Sequence, residues 1–262
     1  HRHVAASFAT RGLVAAVPLG KVVEVSGAAL STTSLVGWDN FTGLSASDNR
    51  FFAGQVALEL VPAKPGTVRL EGLVTDGTRL PVTSYNAGQV TDAEESRGWG
   101  ARLGSSLLDG RLRLDAGWAR SRFGNPADPL LSQGSDVVPV KEETRGARYA
   151  ELAGDLLRGL LVGGRTPLGF TVTLKHDRVD PLYRTVVAAP LADLEQNAVV
   201  ALLTLGGLSL QGAWGEAEDN LASLGSLLKT RTKRSGAVAA FPLAAAFAKA
   251  DGTPRAALPA LS

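Results

Sequence analysis

The stretch Gly98 to Trp118, GWGARLGSSLLDGRLRLDAGW, admits two incompatible readings, and the choice between them decides the fold. Its opening, with Gly98, Gly100 and Gly104, approaches the glycine pattern of a dinucleotide-binding turn, where backbone meets pyrophosphate at a helix N-terminus. One residue too many precedes the last glycine, no helical periodicity follows, and no acidic residue ends a second strand. A two-residue turn at Asp109-Gly110, by contrast, pairs Leu107 with Leu112, Ser105 with Leu114, Leu103 with Ala116 and Ala101 with Trp118. One face of this hairpin is apolar. The other carries Gly98, Gly100, Arg102, Gly104 and Ser106, then Arg113, Asp115 and Gly117, with Arg102 diagonal to Asp115. The stretch reads as two strands whose glycines face a crowded space.

The same period-two alternation recurs on both sides. Phe52, Val56, Leu58 and Leu60 alternate with Gln55 and Glu59; after a Pro-Ala-Lys-Pro-Gly turn, Val68, Leu70 and Val74 alternate with Arg69 and Glu71. Farther on, Phe170, Val172 and Leu174 alternate with Thr171, Thr173 and Lys175. After a strand at about 197 to 205 and a Gly206-Gly207 turn, Leu208, Leu210 and Trp214 alternate with Ser209 and Gln211. Short connections fall near Gly20-Lys21, 62 to 66, 109 to 110 and 206 to 207, with a looser one near 158 to 167. Long polar connections fall near 33 to 50, 77 to 96, 123 to 143, 178 to 196 and 216 to 230.

Alternating short and long connections are the layout of a transmembrane β-barrel, whose strands of roughly 9 to 11 residues cross a bilayer at a tilt. The expected fold class is therefore all-β, an antiparallel up-and-down transmembrane β-barrel with ten or eleven strands visible. Trp99, Trp118 and Trp214 sit at the loop ends of their strands, where a membrane-interface aromatic girdle is expected. Gln55, Glu59, Arg69, Glu71, Arg102, Arg113 and Asp115 fall on the polar side and are the candidate lumen-lining residues. A soluble sandwich would fill that side with Lys, Glu and Thr, whereas here it mixes Gly, Ser and Ala with charges of both signs. The aromatic content of 6% is low for a full girdle.

In this pattern of repeated hairpins, above all Gly98 to Phe123 and Asn197 to Asn220, the sequence resembles Gram-negative outer-membrane β-barrel proteins of the porin-like or large uncharacterised kind, over roughly positions 50 to 245. The resemblance implies a bacterial outer membrane location, contact with outer-membrane lipid, and passage of small solutes through the lumen. Such barrels commonly finish on a terminal aromatic residue, and this chain finishes Leu258-Pro-Ala-Leu-Ser262. The expectation is one barrel domain over 1–262 that lacks part of a longer protein.

Composition narrows the function classes. With 262 residues, 27 basic and 25 acidic, the net charge is +2 and no block of like charge marks a nucleic-acid surface. The basic run Lys229 to Arg234 alternates with Thr and suits a membrane rim or solvated edge. There is no cysteine, hence no disulfide and no thiolate chemistry, and no methionine. The longest nearly apolar stretch, Ala237 to Ala248, is interrupted by Pro242 and too short for a spanning helix.

Catalytic signatures are weak. Neither an HExxH spacing nor a G-x-S-x-G elbow occurs; His176 is the one internal histidine, and no serine can be nominated beside it. His1 and His3 could hold a metal loosely, but read as a ragged or processed end. Asp39-Asn40, Asp48-Asn49, Asp92 to Glu95 and Glu216 to Asn220 could offer oxygen ligands to calcium, yet match no EF-hand spacing and read as solvated loops. No catalytic residue, metal or cofactor is expected. The leading expectation is a non-catalytic channel, transporter pore or surface anchor. The alternative is a secreted soluble β-sandwich or β-solenoid that binds a glycan or protein through its long loops, with Trp99, Trp118 and Trp214 buried in its core.

Overall fold

A computed structural model describes residues 2–4, 10–32, 42–44, 48–80, 93–125, 142–188, 190–242 and 260–261. Eleven strands follow one another along the chain: β1 (Gly12–Leu19), β2 (Val23–Ser31), β3 (Arg50–Glu59), β4 (Val68–Arg79), β5 (Glu94–Leu107), β6 (Leu112–Gly124), β7 (Glu143–Val162), β8 (Thr166–Val179), β9 (Leu194–Leu205), β10 (Leu208–Asp219) and β11 (Arg231–Pro242). A two-residue strand, β12 (Ala260–Leu261), adds to the free edge of β11. Among the described residues each strand pairs antiparallel with its neighbours in sequence and with nothing else, so these strands form a single up-and-down sheet. Among the described residues β1 and β11 are not paired with each other, and the sheet is not closed.

The hairpin around Asp109-Gly110 has the register its sequence predicts: Leu107 opposite Leu112, Ser105 opposite Leu114, Leu103 opposite Ala116 and Ala101 opposite Trp118. The tight reversal is made by Leu108, Asp109 and Gly110, all with positive φ, and Asp-Gly tolerates that backbone better than most pairs. Every short connection lies at one end of the sheet, at 20–22, 60–67, 108–111, 163–165 and 206–207, and every long one at the other. The expected looser connection near 158 to 167 is mostly strand: β7 runs on to Val162, with register shifts between Asp155 and Leu160. Bulges keep such a segment in the ladder while disturbing its alternation, which is why it looks loose in sequence. The strands are 8 to 20 residues long against the expected 9 to 11, and the longest, β7, runs past the end of β6 at the short-turn end.

The two faces of the sheet differ. On the inner face of β4, Glu71, Leu73, Thr75 and Gly77 are buried, while Gly72, Val74 and Asp76 on the other face are exposed. On β5 the buried positions are Glu94, Ser96, Gly98 and Gly100, and on β6 Ala119, Ser121 and Phe123. Among the described residues, what covers the inner face is not a second sheet. It is a short segment ahead of β1, Arg2 to Val4, together with the β8–β9 connection. Val4 and Tyr183 join Leu73, Ala119, Ala147 and Val179 in one apolar cluster, and Val186 and Val187 join Phe51 in another.

The outer face carries no covering layer among the described residues. Val17, Val25, Phe52, Val56, Leu70, Val74, Leu174 and Leu210 are all exposed there. Trp99, Trp118 and Trp214 are 37%, 42% and 44% exposed, so they do not form the buried core that a sandwich would require. Antiparallel neighbours throughout also exclude the parallel stacking of a solenoid.

Candidate functional site

The inner face carries a continuous set of ion pairs across seven strands, placed there by period-two alternation. Arg69 is its first hub: Nε donates to Glu71 Oε1 at 2.8 Å, Nη1 to Glu59 Oε1 at 3.0 Å, and Nη2 to Glu24 Oε2 at 3.4 Å. Arg102, the second, donates to Asp115 Oδ1 at 2.8 Å and to Glu71 Oε2 at 3.3 Å. Tyr149 donates its hydroxyl to Asp115 Oδ1 at 3.1 Å. Beyond it, Lys175 stands 3.4 Å from Glu151 and Arg113 stands 3.5 Å from Asp155. On the strands of this cluster Glu24, Glu59, Glu71, Asp115, Glu151 and Asp155 pair with Arg69, Arg102, Arg113 and Lys175, and Asp177 lies on the same face of β8.

All seven residues expected to share the polar side, Gln55, Glu59, Arg69, Glu71, Arg102, Arg113 and Asp115, lie on this one face. Six of them stand in the ion-pair set, while Gln55 sits opposite Leu73 in the β3–β4 register. Sequence reasoning missed Glu24, Tyr149, Glu151, Asp155 and Asp177. The signal was available for the β7 members, since Tyr149, Glu151, Ala153 and Asp155 alternate with Ala150, Leu152, Gly154 and Leu156.

Arg2, His3 and Val4 complete the site. Arg2 donates to Glu151 Oε2 at 3.4 Å, stands 4.0 Å from Asp115 Oδ2, and lies 4.3 Å above the Tyr149 ring. His3 is buried. Its Nε2 lies 3.2 Å from Asp177 Oδ1 without hydrogen-bond geometry, and its carbonyl accepts the Tyr183 hydroxyl at 3.0 Å. Burial pushes the Tyr183 phenol above its usual range. Val4 is 1% exposed, and burying such a side chain contributes roughly 1.5 to 3 kcal/mol. Room for it comes from the opening glycines: a Cβ on Gly98 would stand 3.1 Å from Val4, and one on Gly100 3.3 Å. A Cβ on Gly104 would make only ordinary contact, 4.0 Å from the Arg69 carbonyl oxygen.

Two cavities flank this packing. One of about 620 Å³ at the long-loop end is lined by Arg79, Glu94, Tyr183 and Arg184; Glu94 pairs with both arginines. A polar one of about 580 Å³ at the short-turn end is lined by Arg113, Asp155, Arg158 and Thr171.

The outer face changes character along β3 to β11. From the short-turn end it is apolar; toward the long loops it becomes charged, at Val74 then Asp76, Trp99 then Arg97, Trp118 then Arg120, Ala150 then Arg148, and Trp214 then Glu216. The three tryptophans stand at that boundary, and the Arg120 guanidinium lies 5.7 Å from the Trp118 ring centre. Beyond it the charges pair across strands, Arg97 with Asp76 at 2.9 Å, Arg178 with Glu195 at 2.9 Å, and Arg231 with Glu216. The basic run ends in this collar, where Lys229 stands 3.1 Å from Glu218.

No family model, curated protein or solved structure matches the chain. The reading of function rests on the two faces alone.

The catalytic and metal candidates gain nothing from the geometry. His176 lies on the outer face and meets Asn197 Oδ1 at 2.8 Å rather than a serine. Among the described residues no three His, Asp or Glu side chains gather where they could hold a metal ion. Asp39, Asn40 and Asp92 lie outside the described residues.

Proposed function

We propose that the protein is a bacterial outer-membrane β-barrel that works as a channel, transporter pore or surface anchor without catalysis, its outer face against lipid and its inner face lining the lumen. The observation that carries this reading is the outer face: apolar, uncovered, and bounded by Trp99, Trp118 and Trp214 before a charged collar. Monomeric soluble proteins rarely expose a contiguous apolar patch of more than a few hundred Å², and Trp at the junction of apolar and charged zones suits a membrane interface. Strands of twelve residues, such as β4, β9, β10 and β11, tilted at about 45°, rise about 28 Å, enough to cross the hydrocarbon. A bilayer does not tolerate open sheet edges, so β1 and β11 must be joined there, to each other or through further strands.

The test is migration on a gel in detergent with and without boiling, beside circular dichroism. A folded barrel gives a β-rich spectrum and migrates differently once boiled. A protein that stays monomeric and soluble without detergent, and migrates identically either way, overturns the proposal.

A further inference from the structure

We propose that Asp115, Glu151 and Tyr149 form a recognition site for a guanidinium-bearing cation, and that Arg2 of the chain's own leading segment occupies it as an internal stand-in. The inference rests on reading the inner face as a lumen that solutes reach.

The geometry divides the oxygens of both carboxylates. Asp115 Oδ1 accepts from Arg102 and Tyr149, while Oδ2 faces Arg2; Glu151 Oε1 faces Lys175, while Oε2 accepts from Arg2. Each carboxylate is therefore held from behind and keeps one oxygen for a ligand. The third wall is the Tyr149 ring, with the Arg2 guanidinium 4.3 Å above its centre. Two carboxylate oxygens and an aromatic face suit a planar, delocalised, weakly hydrated cation better than a compact ammonium. The ring is set in place by its surroundings: it fills the space over Gly117, where a Cβ would overlap it, and its hydroxyl is tied to Asp115.

The charge balance points the same way. On these strands carboxylates outnumber cations, so the face without Arg2 is left anionic. The polar cavity at the short-turn end, lined by Arg113 and Asp155, offers an approach, Arg113 being the next inward-facing residue to Asp115 along β6. The stand-in is held by Tyr183 on the His3 carbonyl and by Val4 against the strands, contacts that can be removed without touching the site.

The experiment is calorimetric titration of the full chain in detergent with agmatine, and with putrescine as the matching amine that lacks a guanidinium. Arg2→Ala should bind agmatine at least about tenfold more tightly than the unsubstituted protein, about the effect of one charge-assisted hydrogen bond. It should prefer agmatine to putrescine by a similar factor, and adding Glu151→Gln should remove the gain. Val4→Asp, which expels the segment by another route, should bind agmatine as Arg2→Ala does. Equal agmatine binding by Arg2→Ala and the unsubstituted protein overturns the site, as does binding indifferent to Glu151→Gln; equal putrescine binding overturns the guanidinium preference. Planar-bilayer conductance separates the two proposals. Agmatine binding without conductance supports the site and sinks the pore; conductance without agmatine binding sinks the site and leaves the pore.

Discussion

Tyr149 on β7 stands directly opposite Gly117 on β6, and its ring occupies the space that a side chain at 117 would need. The pair places an aromatic face over bare backbone in the middle of a charged surface. Gly117→Ala must push the ring aside or shift the strand, and overpacking of this kind costs about 1 to 3 kcal/mol. Gly72→Ala is the matched control, since a Cβ there meets nothing, and it should be neutral or stabilising by up to about 0.5 kcal/mol. Urea unfolding in detergent followed by tryptophan fluorescence measures both.

The outer face gives a test of lipid contact through stability. Val56 is exposed near the middle of β3, and arginine there would be close to neutral on a wetted surface, within about 0.5 kcal/mol. In a bilayer the same Val56→Arg costs about 2 to 4 kcal/mol near the midplane. Reversible unfolding from lipid vesicles, compared with unfolding in a polar detergent, should show the larger loss, and a loss no larger in vesicles counts against lipid contact.

Arg102 and Asp115 form the 2.8 Å contact at the centre of the ion-pair set. Both are partly exposed, so their coupling in a double-mutant cycle to Ala should be modest, about 1 kcal/mol. Permeation should respond more clearly. Arg102→Ala leaves Glu71 and Asp115 less neutralised, and the reversal potential across a salt gradient should move toward cation selectivity.

Val4 offers a handle on the covering segment. Val4→Asp would bury a carboxylate in an apolar cluster, at a cost of several kcal/mol that exceeds what docking the valine contributes. The segment should then detach, seen as faster proteolysis ahead of β1 and as raised conductance, with the β-sheet circular dichroism unchanged. Conductance that stays the same while the segment becomes cleavable would mean that it does not obstruct the path.

Much of this structure is legible in the sequence because its information is local. Asp109-Gly110 fixes a turn, the turn fixes the register from Leu107 opposite Leu112 to Ala101 opposite Trp118, and alternation then sends Arg102 and Asp115 to one side and Trp99 and Trp118 to the other. The same grammar set the polar sides of β3 and β4. It failed where alternation is disturbed, at the irregular stretch of β7 between Asp155 and Leu160. It was silent on Arg2, His3 and Val4, because a three-residue segment held by Tyr183 from 180 positions away leaves no periodicity to read. The glycines show the limit well: their spacing said that something crowds Gly98 and Gly100, and only the fold shows that it is Thr75 and the Trp118 carbonyl on the neighbouring strands, with Val4 lying over both.

The neighbour-only pairing of the strands makes the wall modular. Every hairpin is a self-contained unit of two antiparallel strands with its short turn at the same end, and each strand takes its inward phase from the strand before it. Excising β9 and β10 together would leave β8 and β11 antiparallel and free to pair, with all other registers untouched. Width can therefore change by two strands at a time, while the alternation that separates apolar from charged survives each change.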